Sequence, residues 1–274
     1  MLGSASSQRQ ATTRRLLAKS CGFSVIVSRD VEDVIAAQRL RYEVFYEELQ
    51  AQPDRRTRAA RRDIDDFDRF CEHILVSETD SPDRPVATYR LMRRRDALAK
   101  GGFYSEGEFE LGPLFRRHPQ LEFLELGRAC VLASYRTRPI ISLLWQGIWN
   151  YVRANGIDVM FGCLSLEGAN PLAHGARLSF LAQNFPAPAE WHVRAVESRA
   201  VPMSVSSADY DEAVVARTLP PLLKGYLRLG CYIGEGAVVD RQFNSTDVFV
   251  LLPVANINSR YFARFGAPHE ALSY

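Results

Sequence analysis

Glu125 and Arg128 stand three apart in the stretch 124–133, LELGRACVLA. Making an amide from a thioester has three requirements, and the segment 125–140 carries groups suited to each. A carboxylate can take the proton of an ammonium nucleophile, because only the free amine attacks. Backbone N–H groups can meet the oxyanion that forms. A held phosphate can bring the reacting atoms to within about 3–3.5 Å. On a strand, Glu125 and Arg128 point to opposite faces unless a bulge at Gly127 re-aims one of them. Such a bulge would also free N–H groups for a carbonyl oxygen. The turn 136–139 (Arg-Thr-Arg-Pro) leads into a helix N-terminus, which suits a phosphate. Taken alone, a Glu and an Arg three apart most often make a surface salt bridge, and the pattern by itself leaves that reading in front.

Two further groups carry charge in unusual places. Asp63, Asp65, Asp66 and Asp68 put four carboxylates into six positions. So dense a run is either a solvated loop or is held by cations, from a substrate or from the nearby group Arg55, Arg56, Arg58, Arg61 and Arg62. Arg41 and Phe45 are four apart in RLRYEVFY (39–46) and would share a helix face. Phe45 there reads as core, whereas a buried Arg41 needs a partner. The five cysteines and five histidines lie without C-x-x-C or H-x-x-x-H spacing, so neither a disulfide framework nor a metal site is expected.

These residues need elements to position them. The pattern predicts a strand at 23–28, a helix capped by Asp30, and a hairpin of strands at 71–77 and 86–92 turning at Pro82–Pro85. A strand over 124–133 follows, then an amphipathic helix over 140–155 closed by Gly156, and a buried strand at 157–163. The stretch 164–218 is poorly patterned, holds a helix near 171–184, and reads as an insertion. A helix at 219–230 and strands at 236–242 and 247–252 complete a mixed α+β plan with one central sheet. Residues 1–20 contain no acidic residue and read as a flexible basic tail, leaving 21–274 as a single domain.

The 274 residues are 47% hydrophobic and 24% charged, an ordinary globular balance. No apolar run approaches the roughly 20 residues of a membrane span, and no signal-peptide core is visible, so a cytoplasmic location is expected. Net charge is +2, and all the basic residues but Lys19, Lys100 and Lys224 are arginines. The clusters at 55–62 and 93–95 suit an acidic protein, a phosphate or an anionic membrane surface. They lack the interleaved aromatics of a single-strand binder, so nucleic acid is not expected.

The order of elements resembles the GNAT acyltransferase superfamily. Within it, the chain resembles the bacterial ornithine N-alpha-acyltransferases, which make lyso-ornithine lipid from a 3-hydroxyacyl-acyl carrier protein. The resemblance rests on LRYEVFYEE (40–48), DDFDRFCEHILV (65–76), VATYRLM (86–92), FYSEGEFEL (103–111), LELGRACV (124–131), LPPLLKGYLRLG (219–230) and GAVVDRQFNSTDVFVLLPV (236–254). It implies a GNAT-like α+β domain and transfer of a 3-hydroxyacyl group to the α-amine of L-ornithine. The sister acyl-homoserine-lactone synthases share a sparser pattern, which Arg41 with Phe45, Asp65 with Asp68, Arg90, and Glu125 with Arg128 resemble. That likeness implies catalytic work for Glu125 and Arg128, and an amino-acid pocket shaped by Arg41, Phe45, Asp65, Asp68 and Arg90. The tryptophan expected after the Arg–Phe pair in those synthases has no counterpart here, which argues against lactone synthesis.

Typical acetyl-CoA users carry a glycine-rich loop before the helix that follows the fourth strand. Here that stretch, 135–140, has no glycine. The resemblance implies instead a phosphopantetheine phosphate held by Arg136 and Arg138, and oxyanion donors near Cys130 and Val131. Acyl carrier protein is then the implied co-substrate, with no separate cofactor or metal. An acidic carrier would suit the arginine clusters, and a product with a long acyl tail implies transient contact with the inner membrane surface. Two alternatives are an N-acyl amino-acid synthase for another amino acid and a non-catalytic GNAT-like binding module.

Overall fold

The computed structural model describes residues 14–204 and 210–257. Strands β1 (Arg15–Ser20) and β2 (Phe23–Ser28) form a hairpin whose turn, Cys21 and Gly22, has positive φ at both residues. The last residues of the expected tail are therefore an edge strand, and residues 1–13 lie outside the described residues. Helix α1 (Val31–Tyr42) starts at Asp30, though the Asp30 side chain makes no capping hydrogen bond. It runs on into a π-helical turn, Glu43–Glu48, and is followed by the short α2 (Arg55–Ala60).

Strands β3 (Glu72–Glu78) and β4 (Pro85–Arg93) make the expected hairpin. Next come α3 (Arg94–Lys100), α4 (Gly112–Arg117), β5 (Phe123–Val131), α5 (Arg138–Ala154) and β6 (Val159–Glu167). After α6 (Gly175–Asn184), the two-residue β7 (Ala200–Val201) and α7 (Glu212–Thr218), the chain closes with α8 (Pro221–Leu229), β8 (Tyr232–Asp240) and β9 (Ser245–Pro253). The stretch 164–218 is less separate than the sequence suggests. Its first residues finish β6, and Phe180, Leu181, Met203 and Val215 join the main core.

The nine strands form one sheet in the order β1-β2-β3-β4-β5-β6-β9-β8-β7, antiparallel throughout except between β5 and β6. Alternation sorts the side chains onto two faces. On one, Leu124, Leu126, Met160 and Val250 pack with α5, α6 and α8; on the other, Phe123, Phe161 and Phe249 pack with the 97–115 segment. Leu143, Leu144, Ile148 and Trp149 of α5 are buried in the first core. Among the described residues, no helix is long and apolar enough to cross a membrane.

Candidate active site

β5 and β6 pair only at their starts, Phe123 with Val159, Leu124 with Met160 and Glu125 with Phe161. Beyond Glu125 the two strands separate, while β6 stays zipped to β9 along its whole length. Parallel neighbours that part leave a gap through the sheet, and a cleft of about 530 Å³ fills it. Residues from both faces line it. Leu126, Met160, Leu164, Tyr226 and Leu252 make an apolar end; Arg90, Ser105, Glu125, Arg128 and Asp247 make a polar one. Gly162 sits where the strands begin to part. A Cβ there would overlap the Leu126 carbonyl oxygen, so only glycine lets the backbones approach this closely.

Glu125 is 5% exposed. Its Oε1 accepts from the Ser105 N–H at 2.7 Å and the Ser105 hydroxyl at 2.5 Å, and its Oε2 accepts from the Tyr104 N–H at 3.0 Å. Burial pushes its carboxyl above the ordinary range, opposed by the Ser105 hydrogen bonds and the Arg90 charge. The expected bulge exists, one residue further on. Arg90 pairs with Gly127 and Thr88 with Cys130, so β5 holds one residue more than β4 between them, and Arg128 lies in the left-handed region at φ 52°. The extra residue brings Arg128 to the side on which Glu125 points. Its guanidinium sits 4.7 Å from the ring centre of Tyr104 and 4.6 Å from that of Phe243.

The acidic run 63–68 is not a solvated loop, Asp66 excepted. Nor do Arg55–Arg62 hold it in place. Arg41 lies 2.8 Å from both Asp63 and Asp68, Arg90 contacts Asp65 and Asp68, and Arg128 lies 3.2 Å from Asp63 and Asp65. Gln38 and Tyr46 donate to the same carboxylates. Three arginines and three aspartates thus cancel charge in the interior, and the arginines hold the Asp65 and Asp68 carboxyls below the usual range against burial. Arg41 is fully buried behind the cleft wall, while Arg90 and Arg128 reach the cleft. Phe45 reaches it too, because the wide π-helical turn carries it away from Arg41 to pack edge-on to Phe243.

The residues expected to hold a phosphate and an oxyanion lie past the bulge. The N–H of Leu132 donates to Val86 in β4. By alternation the N–H of Cys130 turns the same way, and that of Val131 turns toward the gap left by β6. Arg136 binds Glu48 through both its Nη atoms, at 2.5 and 2.7 Å, and donates to the Val131 carbonyl at 3.0 Å. Arg138 opens α5, whose N-cap Thr137 makes no side-chain cap, so the first-turn N–H groups have no capping partner from that residue. Of the second arginine cluster, Arg93 pairs with Glu122 and Arg94 donates to three carbonyls of the 118–121 loop. That cluster is largely structural.

Sequence reasoning singled out no residue of a second carboxylate group. Carboxylate oxygens of Glu108, Asp240 and Asp247 lie within 4.8 Å of one another, and Asp240 and Asp247 line the polar end of the cleft. Cys163 and Ser105 link it to Glu125, the Cys163 thiol lying 3.3 Å from the Ser105 hydroxyl. Glu108 lies over a hundred residues from Asp240 and Asp247 in sequence, so no spacing rule joins the three. Their only signal was membership in the blocks FYSEGEFEL and GAVVDRQFNSTDVFVLLPV.

Residues 40–146 match the acetyltransferase (GNAT) domain family. The L-ornithine N(alpha)-acyltransferase of Brucella abortus (strain 2308) is 46% identical over 237 residues, which cover 85% of this chain and 84% of that protein. The enzyme of the same name from Rhizobium meliloti (strain 1021) is 43% identical over 258 residues, covering 92% and 87%. Among solved structures, FeeM, an N-acyl amino acid synthase from uncultured soil microbes, is 11% identical with a TM-score of 0.47, covering 91% of this chain and 99% of that one.

Proposed function

The chain belongs to the L-ornithine N(alpha)-acyltransferase family and is an N-acyltransferase; from that premise we propose that it moves a 3-hydroxyacyl group from an acyl carrier protein thioester to the α-amine of L-ornithine. The observation that carries this reading is the cleft through the sheet. Its apolar lining lies on the sheet face that α8 covers and suits an acyl chain, and its polar lining on the opposite face suits an amino acid. The two substrates then meet at the gap between β5 and β6, where Glu125 lies.

In this reading the Glu125 carboxylate, directly or through a water, takes a proton from the α-ammonium. A carboxyl raised by burial is a better base than a surface one, and Ser105 and Tyr104 fix its direction. The amine attacks the thioester carbon, and the Val131 N–H, turned to the gap, faces the oxyanion. The adduct gives up its second nitrogen proton and collapses with rupture of the C–S bond. That proton is taken up by the departing pantetheine thiolate, while the first remains on Glu125 until it returns to solvent. Arg128, held between Tyr104 and Phe243, presents a guanidinium to the amino-acid carboxylate.

The carrier's phosphodiester would sit at the α5 N-terminus beside Arg136 and Arg138. Arg61 pairs with Glu47 and Arg136 with Glu48. Neighbouring glutamates thus place the exposed arginines of the 55–62 cluster on the same edge, where an acidic carrier would dock. No resident cofactor or metal enters the reaction. A product with a long acyl tail would leave through the apolar end, with transient contact at the inner membrane surface.

The test is an assay of purified enzyme with 3-hydroxyacyl carrier protein or the matching acyl-CoA, and with ornithine, lysine or other amino acids, the products identified by mass. N-α-acylornithine formed from the carrier thioester is expected. A preference for another amino acid, or for CoA, would refute the corresponding half. Glu125→Gln should lower turnover by about 10²–10⁴, and turnover within threefold of the wild type excludes Glu125 as the base.

A further inference from the structure

We infer that Glu108, Asp240 and Asp247 form a subsite for the side-chain ammonium of a diamino-acid substrate, leaving its α-amine as the one that reacts. The inference rests on the ornithine reading above and names what would select that amino acid.

Glu108 is 3% exposed, yet its Oε2 has no hydrogen-bond partner; its Oε1 meets the Arg199 guanidinium at 3.4 Å, and the Cys163 thiol lies beside the carboxylate. A buried, unpartnered carboxylate oxygen is costly and needs a reason. Asp247, 5% exposed, accepts from the Ser245 hydroxyl at 2.8 Å. Asp240 turns one oxygen to the N–H groups of Gln242 and Phe243, at 2.8 and 3.0 Å. That arrangement still leaves carboxylate oxygens of all three within 4.8 Å of one another. Elsewhere in the interior the chain matches each aspartate with an arginine, as at 63–68. Here three acids converge, with one half-exposed arginine, Arg199, at the edge and only the charge of Arg128, already paired with Asp63 and Asp65, acting on Asp247 from the other side.

The surroundings favour an ammonium as the missing partner. Asp240 and Asp247 line the same cleft as Glu125 and Arg128, and Ser105 joins Glu125 to the neighbourhood of the trio through Cys163. A primary ammonium offers three N–H donors, one for each carboxylate. Burial and the neighbouring charge of Asp247 raise the Glu108 carboxyl to about 7, and burial raises Asp247 as well. A cation bound among them would restore both to the ionised form.

Such a subsite would also decide which nitrogen is acylated. It holds the side-chain nitrogen protonated, while the α-amine, less basic than a lysine-like amine of pKa about 10.4, gives up its proton more readily.

The experiment compares kcat/KM for ornithine with that for 2-aminopentanoate, which has the same carbon chain and no side-chain amine. Wild type, Glu108→Gln and Asp247→Asn are assayed as full-length enzymes with one acyl donor. Taking the ratio of two substrates on one protein cancels any loss of folded enzyme. The wild-type ratio should favour ornithine. In each variant it should fall by on the order of 10–100-fold through a higher KM for ornithine, with some acylation moving to the side-chain nitrogen. An unchanged ratio in the variants, with ornithine acylated by all three proteins, overturns the subsite and leaves the proposed function standing. Acylation of other amino acids and not of ornithine by the wild type refutes the function, and the subsite with it. A wild-type preference abolished by chelation and restored by a divalent cation makes the trio a metal site, and also overturns the inference.

Discussion

A carboxyl whose pKa is about 7 in the folded chain, against an ordinary 4.5, binds its proton more tightly when folded than when unfolded. The contribution of Glu108 to stability is therefore fully present below about pH 4.5 and is lost as pH rises through about 7. The scale of the loss is about 3 kcal/mol at most. Glu108→Gln removes the ionisable group and keeps its shape. We expect this variant to be more stable than the wild type at pH 8 by about 1–3 kcal/mol, with most of that margin gone at pH 5, as read by urea unfolding at both values. A margin independent of pH would mean that Glu108 is not strained by its charge. Gain in stability together with loss of ornithine selectivity is what a functional, unpaired carboxylate should show. Glu125 differs in kind. Three donors surround it, so its burial is largely compensated and its orientation fixed. A motif in the sequence points to Glu125, whereas Glu108 stands there only as one residue of the block FYSEGEFEL, because it acquires its neighbours only by folding.

At the level of elements, the site depends on a sheet that fails to stay paired. One extra residue in β5 turns Arg128 to the Glu125 side, and the parting of β5 from β6 opens the cleft. The sequence showed the strand and that only a bulge, placed at Gly127, would bring Glu125 and Arg128 to one face. The bulge falls at Arg128 because the ladder resumes at Cys130 opposite Thr88, a register that pairing alone sets. Gly162 lies where the strands diverge, against the Leu126 carbonyl. Gly162→Ala must push the two backbones apart, so we expect a loss of about 1–3 kcal/mol in unfolding free energy and a larger proportional loss in kcat/KM. Steady-state kinetics beside denaturant unfolding would read both. Activity lost only in proportion to stability would show that the geometry of the gap is not critical. The π-helical turn after α1 is a second local irregularity of this kind. Four-residue spacing put Arg41 and Phe45 on one helix face, and the wider turn sends one to the buried network and the other to the cleft.

Across the whole molecule, the network of Arg41, Arg90 and Arg128 with Asp63, Asp65 and Asp68 ties α1, the 63–68 loop, β4 and β5 into one unit behind the cleft. Removing one partner leaves the others charged, buried and unmatched. Asp68→Asn should therefore cost about 3–5 kcal/mol, as measured by thermal or denaturant unfolding; a cost below about 1 kcal/mol would show that the network is not a stability element. Because the Asp65 and Asp68 carboxyls are held below their ordinary range, their contribution is present above about pH 4 and is lost as pH falls further. This is opposite in sign to Glu108, so the two groups shape opposite sides of the pH–stability curve.

Local patterning determined most of the strands and helices, because hydrophobic period and turn residues act over a few positions. The ordered blocks determined the family. The pairing of the six charges, the placement of the bulge and the convergence of Glu108, Asp240 and Asp247 were decided only by the tertiary structure. Each depends on which segments meet across the sheet, and burial then turns ordinary surface residue types into ion pairs, a positioned carboxylate or an unmatched acid. Even the salt-bridge reading of Glu125 with Arg128 was settled in this way: Arg128 pairs with Asp63 and Asp65, and Glu125 is left to Ser105, Tyr104 and the cleft.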